Sequence, residues 1–322
     1  MASPVFLFID VLALLALLIG LISSSLIIFI VLFHRRQGLN TIPLFLVCNS
    51  CSGAIVMCAA YFSIYVYILK NDLSVNDGHN NYGNDPLCPL RTYLFFSGAS
   101  LLYLSYCLQA LNRLIHVVFP NKSWLQKSFI FYITLIVIQW ILGFLIALPY
   151  YMWGKMVYIT TELFCLIPFQ DPLAIMLAAM TIYGIPLTIL SIMSFWIWSY
   201  VHGHRHNTIQ RQTTVNREFV MLKRMLIPLF ALTVLGVPYL TLFTITWINH
   251  KQLPLTYLTY RLSYLFIAIG LGTVNMITLL LTPKLKAIFL SYLKQKRSDQ
   301  NSTRQQTNLT NAIRLNRIQP VP

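Results

Sequence analysis

CPLRTYLFFSGASLLYLSYCLQALNRLIHVVFP, residues 88–120, is the stretch that decides the fold. Between Thr92 and Leu111 it carries no charge, and a helix of this length crosses about 30 Å of hydrocarbon at roughly 1.5 Å per residue. A cysteine opens the stretch and an arginine follows its apolar part. We therefore expect Cys88 and Arg113 to lie on opposite faces of a membrane. An arginine at the end of a span can also simply extend to the lipid headgroups, and that alternative stays open.

The rest of the chain is equally apolar. Of its 322 residues 57% are hydrophobic and 10% are charged, and the mean hydropathy is +0.68. These values exclude an ordinary soluble domain and indicate an integral membrane protein. Seven segments are long and apolar enough to span: 5–33, 41–69, 92–112, 128–150, 172–201, 225–248 and 254–281. The predicted fold is all-α, a bundle of seven transmembrane helices within residues 1–295.

The end of the chain predicts a membrane-surface helix and a tail. Thr282-Pro283 suits a helix start, and residues 284–297 place apolar side chains on one face and lysines on the other. This pattern predicts a short amphipathic helix on the inner leaflet. Residues 296–322 are polar, and we expect a disordered cytoplasmic tail there.

Basic residues predict the orientation. With the N-terminus outside, 18 of the 23 Lys and Arg residues fall on the inner side, so the positive-inside rule favours this topology. The first span lacks a basic leader, and we interpret it as a retained anchor. We expect a multi-pass plasma-membrane protein with its C-terminus in the cytoplasm. Anionic lipid explains the net charge of +15, so no nucleic-acid partner is expected.

Two of the six cysteines fall outside the spans. Cys88 and Cys165 both lie on the predicted outer side, which is oxidising, so we expect a disulfide between them. The other four lie inside spans, where a cysteine usually only packs. They are Cys48, Cys51, Cys58 and Cys107.

Charges and prolines distinguish some spans. Apart from Asp10 near the outer end of span one, no charge is expected in the middle of a span, and Asp72 falls in the loop 70–91, which is predicted to be polar and flexible. Pro186 in span five and Pro238 in span six each remove a backbone hydrogen bond, so we expect a kink and a hinge at each. Ordinary helix curvature is the alternative.

The order of these features resembles a rhodopsin-like G-protein-coupled receptor over residues 5 to 295. The resemblance rests on the seven spans and on the following residues: Cys88, Cys165, Arg113, Trp140, Pro186, Pro238 and Asn275. It implies that Arg113 switches between an inner-face carboxylate and a heterotrimeric G protein. Glu218, at the start of span six, resembles that carboxylate. Arrestin is a further implied partner.

Several positions depart from the family pattern. The acidic neighbour of the arginine is Asn112, the expected tryptophan of span six is Gly236, and the tyrosine switch of span seven is Leu279. The sequence therefore resembles a divergent member. Since Asn112 cannot pair ionically with Arg113, we expect raised basal activity.

An aromatic set suggests where a ligand binds. It comprises Tyr93, Phe95, Phe96, Tyr257, Tyr260 and Tyr264, and it suits a peptide or a small apolar chemosensory ligand. The resemblance places Phe95 or a neighbour where amine receptors keep an aspartate, and span seven has no lysine for retinal. Aromatic side chains at a membrane interface are the alternative explanation.

Other functions fit the sequence less well. A transporter usually shows internal repeats and buried ionisable groups, and the sequence shows neither pattern. We expect no enzymatic activity, cofactor or metal, since no catalytic or ligating set lies within the spans. A receptor-derived scaffold that does not signal remains an alternative.

Overall fold

The computed structural model describes most of the predicted spans. The described residues are 4–35, 42–76, 86–119, 124, 126, 128–159, 164–168, 171–203 and 257–281, together with 226, 227, 230, 233, 234, 236–238, 240, 241, 244, 245 and 248. Glu218, the predicted amphipathic helix and the tail lie outside them. By its internal contacts the chain divides into Met1–Thr278 and Leu279–Pro322, and only residues 279–281 of the second unit are described.

The described residues are almost entirely helical. The helices are α1 (Pro4–Arg35), α2 (Ile42–Asn76), α3 (Cys88–Val118), α4 (Phe129–Met152), α5 (Pro172–Ala179), α6 (Ile185–Gly203) and α7 (Tyr257–Leu281), with a π-helical turn at Met180–Gly184 between α5 and α6. Six segments of this part of the chain are long and apolar enough to cross a membrane; α5, the π-turn and α6 together form the fifth. The chain is therefore an all-α, multi-pass membrane protein.

Helix α3 lies at the centre of the described bundle. Of its apolar segment 78% is buried, against 17% for α4, and it packs on α2, α4 and α6. Glycine permits the close approach of α3 to α2, because a Cβ at Gly98 would lie 2.6 Å from the backbone of Met57. Small residues at such crossings let transmembrane helices approach closely.

Helix α2 is longer than its hydropathy predicts. We expected the span to end at residue 69 and a flexible polar loop to begin at Lys70, but the helix continues to Asn76. Asp72 is consequently buried, with 7% of its surface exposed. The assignment of Asp72 to a polar loop is thus wrong, because Arg261 of α7 supplies its counter-charge.

A small hairpin occupies the connection between α4 and α5. Strands β1 (Val157–Ile159) and β2 (Phe164–Leu166) pair antiparallel, with Tyr158 opposite Cys165. Gly154, at φ +63°, takes the left-handed conformation that the turn after α4 requires. The hairpin brings Cys165 to the start of α3.

Candidate functional site

The predicted disulfide is present and marks one end of the bundle. It joins Cys88, the first residue of α3, to Cys165 in β2. Thr92 reinforces the link, since its hydroxyl donates to the carbonyl oxygen of Cys165 at 2.8 Å. We call the end of the bundle that contains this bond the disulfide end. Cys48, Cys51, Cys58 and Cys107 are free thiols inside the helices, as expected.

The hairpin also contacts the last turns of α2. The amide of Asn71 donates to the Tyr158 hydroxyl at 3.3 Å, and the Tyr67 ring meets the Tyr158 ring edge-on at 6.2 Å. The guanidinium of Arg91 lies 5.1 Å from the centre of the Tyr67 ring. The additional turns of α2 therefore help to hold the hairpin over α3.

Three buried charges meet near this end. Nη1 of Arg261 lies 2.6 Å from Oδ2 of Asp10 and 2.6 Å from Oδ2 of Asp72. We call these three residues the charge triad; their exposed fractions are 1%, 0% and 7%. The Phe6 ring covers the guanidinium, with its centre 5.3 Å away. The triad joins α1, α2 and α7.

The triad lies below the surface of the disulfide end. Its members stand four to six residues inside the ends of their helices, which is about 6–9 Å along the axis. Asp72, predicted to lie in a loop, and Arg261, inside the predicted seventh span, are therefore buried together with Asp10. Each charge appears alone in its own segment of sequence, and only the fold brings the three together.

Three of the predicted aromatic ligand residues are buried between α2, α3 and α7. Phe95 packs on Tyr61 of α2, with ring centres 4.8 Å apart, and on Phe96 at 5.4 Å. The Tyr61 hydroxyl donates to the backbone carbonyl of Tyr264 at 2.9 Å. Tyr61 therefore connects the predicted residues, although no motif of the sequence distinguishes it.

The other predicted aromatic residues lie elsewhere. The Tyr93 hydroxyl donates to the carbonyl oxygen of Phe144 in α4 at 3.3 Å, and its ring packs on Tyr151 at 5.3 Å. Tyr257 and Tyr260 are in the first turn of α7, but their side chains lie outside the described part of the structure. The six-residue ligand pocket stays a prediction.

A polar network ties α2, α3 and α4 together in the bundle interior. Asn49 donates to Gln139 Oε1 at 2.6 Å and accepts from Trp140 Nε1 at 2.9 Å. Gln139 in turn donates to the Leu101 carbonyl of α3 at 2.9 Å. Trp140 is one of the residues that carry the family resemblance, whereas no motif of the sequence distinguishes Asn49 or Gln139. Buried amides of this kind fix the pairing of helices because an unpaired one would be costly.

The opposite end of α3 carries the predicted switch residues. Asn112 is buried, with 1% of its surface exposed, and Arg113 is partly exposed and acts electrostatically on Tyr132 of α4. The next residue, Leu114, packs with Ile197 of α6 and Leu226. This end thus joins α3 to the fifth span and to the start of the predicted sixth. The contact of Arg113 with Glu218 stays a prediction, since Glu218 lies outside the described residues.

Pro186 and Asn275 lie at contacts between helices, whereas the hydrogen bond of Pro238 stays within its own segment. Pro186 is buried directly after the π-turn, and its carbonyl accepts from the Cys107 thiol of α3 at 3.5 Å. The carbonyl of Pro238 accepts from the Thr241 hydroxyl at 2.8 Å. The Asn275 amide donates to Leu271 at 3.1 Å and lies 4.0 Å from the Cys58 sulfur of α2.

Comparison with known proteins does not assign the chain to a family. No protein-family model matches the sequence, and no curated protein matches it significantly. The described residues also contain no group of three His, Cys, Asp or Glu side chains placed to hold a metal. A functional assignment must therefore rest on the arrangement of the residues themselves.

Proposed function

We propose that the chain is a divergent rhodopsin-like G-protein-coupled receptor that signals from an extracellular peptide or small apolar ligand to a heterotrimeric G protein. One observation carries the proposal. Helix α3, the most buried of the described spans, is tied by the Cys88–Cys165 disulfide at one end and carries Arg113 at the other. One rigid element therefore connects a covalently fixed loop with a basic residue on the far side of the bundle.

Three residues that carry the family resemblance lie at contacts between helices. Trp140 is hydrogen-bonded to α2, Pro186 accepts from α3, and Asn275 lies against Cys58 of α2. Their placement at helix contacts supports the proposal, which requires the predicted sixth span to complete a bundle of seven helices.

The proposed orientation places the disulfide end outside the cell. A disulfide persists in an oxidising compartment, and the excess of basic residues falls on the other side. This gives an extracellular N-terminus, a cytoplasmic C-terminus and a location in the plasma membrane. The G protein, and arrestin as a further partner, would then meet the end that carries Arg113.

The mechanism is a shift between two states of the bundle. A ligand that touches the hairpin acts on α3 through the disulfide, and it shifts the equilibrium only by its difference in affinity for the two states. At the far end, the apolar contact of Leu114 with Ile197 and Leu226 must open to admit a G-protein α-subunit. Pro186 and Pro238 are the hinges that permit this opening.

The charge triad favours a transporter as the second candidate. Buried ionisable residues in transmembrane segments often mark the path of an ion or a substrate. Substrate sites of transporters, however, lie near the middle of the bilayer, and the triad lies about 6–9 Å from the helix ends. The receptor is thus the better supported function.

Signalling in cells tests the proposal. Wild type is compared with Arg113→Ala at equal surface expression, and G-protein activation is recorded without stimulus and with tissue extract. We expect activation by wild type and loss of activation in the variant. Thr134→Ala is the matched control, because Thr134 is exposed on α4 and bonds only to its own helix. Absence of activation by the wild type would refute the proposal, and uptake assays would then test the transporter.

A further inference from the structure

A hydrogen bond in the bundle interior joins α3 to α7. The hydroxyl of Tyr106 in α3 is hydrogen-bonded to the side chain of Thr278 in α7, and Tyr106 is buried, with 5% of its surface exposed. Thr278 donates its own proton to the Val274 carbonyl oxygen at 2.8 Å. A threonine hydroxyl has one proton, so the Tyr106 O–H is the donor and the Thr278 oxygen accepts. The bond therefore links two helices without replacing a bond within α7.

Helix α2 borders this bond on another side. The buried Cys51 thiol of α2 acts electrostatically on the Tyr106 hydroxyl. Close to Thr278 along α7, Asn275 lies 4.0 Å from the Cys58 sulfur of α2. Thiols are weak hydrogen-bonding groups, so Thr278 is the strong partner of Tyr106 among these contacts. A buried hydroxyl that loses its partner is costly, which gives the bond between α3 and α7 energetic weight.

Tyr106 and Arg113 lie on the same face of α3. They are seven residues apart, which is close to two helical turns and about 10 Å along the axis. Helix α7 is consequently tied to the face of α3 on which Arg113 lies. In the proposed function, this is the face that a G protein meets from the far end of the bundle.

We propose that the hydrogen bond between Tyr106 and Thr278 is a latch that favours the closed state of the bundle and breaks when α3 and α7 separate beside Arg113. This inference rests on the two states of the proposed function. A bond that exists only in the closed state lowers the free energy of that state, so its removal shifts the equilibrium towards the open one. A typical net hydrogen-bond contribution corresponds to a shift of about 2- to 10-fold.

A double-mutant cycle tests the bond itself. Tyr106→Phe removes the donor, and Thr278→Val removes the acceptor with little change of shape. The melting temperature of the purified chain should fall by about 1–3 °C in each single variant, and the loss in the double variant should be smaller than the sum. Thr273→Val is the matched control, because Thr273 is exposed and makes the same kind of bond within α7, to the Ile269 carbonyl at 2.6 Å. Its effect should add to that of Tyr106→Phe.

Spin labels test the latch in the absence of a G protein. They are attached to cysteines introduced at Phe119, directly after α3, and at Met276 in α7, both of which are exposed. Electron–electron resonance of the full-length chain in nanodiscs measures the distance between the labels, and the chain without the two introduced cysteines gives the background. We expect the population with the longer distance to rise about 2- to 10-fold in Tyr106→Phe and in Thr278→Val. Thr273→Val should leave it unchanged.

Three results would overturn the proposal. Additive effects of Tyr106→Phe and Thr278→Val would show that the two side chains do not act as a pair. Coupled stability with unchanged label distances would show that the bond only stabilises the fold. In a wild type that activates a G protein, unchanged basal nucleotide exchange in both variants would separate the bond from signalling. If the folded wild type activates no G protein, the proposed function fails, whereas the label distances still decide whether the bond is a latch.

Discussion

Removal of Arg261 tests the energetic role of the charge triad. Arg261→Gln deletes the cation that two carboxylates share at 2.6 Å and leaves both of them buried. Breaking a buried ion pair by removal of one partner costs about 3–5 kcal/mol. At about 2 °C per kcal/mol for a chain of this size, the melting temperature should fall by roughly 6–10 °C. Thermal unfolding of the purified protein in detergent, followed by fluorescence, measures the change.

Balanced variants provide the contrast. Asp10→Asn and Asp72→Asn each leave one carboxylate with one guanidinium, so each should change stability by less than about 1.5 kcal/mol, the size of one ordinary hydrogen bond. The double variant leaves Arg261 without a counter-charge and should be as unstable as Arg261→Gln. Lys155→Gln is the matched control, because it breaks an ion pair of the same length whose side chains are 43% and 29% exposed. Such a pair contributes about 0–1 kcal/mol.

Two results would contradict this reasoning. In the first, Asp10→Asn is as damaging as Arg261→Gln, which would mean that the number of contacts and not the balance of charge determines stability. In the second, Lys155→Gln destabilises the protein as much as Arg261→Gln, and burial of the triad would then have no special weight.

Three further substitutions test other parts of the structure. Cys88→Ser should cost about 4–5 kcal/mol, because the disulfide closes a sequence separation of 77 residues, and labelling of intact cells should show less protein at the surface. Asn49→Leu should lower stability by about 1–3 kcal/mol for the buried Gln139 amide that it leaves unpaired, with a smaller loss for the half-buried Trp140, measured in the same thermal assay. Gly98→Ala should cost about 1–3 kcal/mol or more by pressing α3 away from α2, with a matching loss of monodisperse protein in size-exclusion chromatography. Gly236→Ala, whose Cβ would meet no described atom within 4 Å, should behave as wild type.

The features that the sequence predicts correctly are those that one segment carries by itself. The run from Thr92 to Leu111 is apolar along its whole length, so hydropathy alone identifies α3. The disulfide follows because Cys88 and Cys165 are the two cysteines outside the spans. The start of α4 is also local, since Ser128 accepts a hydrogen bond from the Phe131 amide and so caps the helix one residue before it begins.

The features that the sequence misses depend on distant partners. The hydropathy of α2 falls at Lys70, and nothing within that segment shows that Asp72 will find Arg261, which is 189 residues further along the chain. The same holds for Asn49 and Gln139, which appear in separate apolar spans as isolated polar residues. Each strand of the hairpin has only three residues, which is too short for an alternating pattern to stand out.

The proposed function requires that the chain activate a G protein through the end of the bundle that carries Arg113. The most direct test reconstitutes the purified chain in nanodiscs and measures its effect on nucleotide exchange by purified heterotrimers that represent the different α-subunit classes. We expect faster exchange with at least one heterotrimer, and loss of that effect in Arg113→Ala at an unchanged melting temperature. If the folded wild type accelerates none of them, or if Arg113→Ala is as active as wild type, the claim is contradicted.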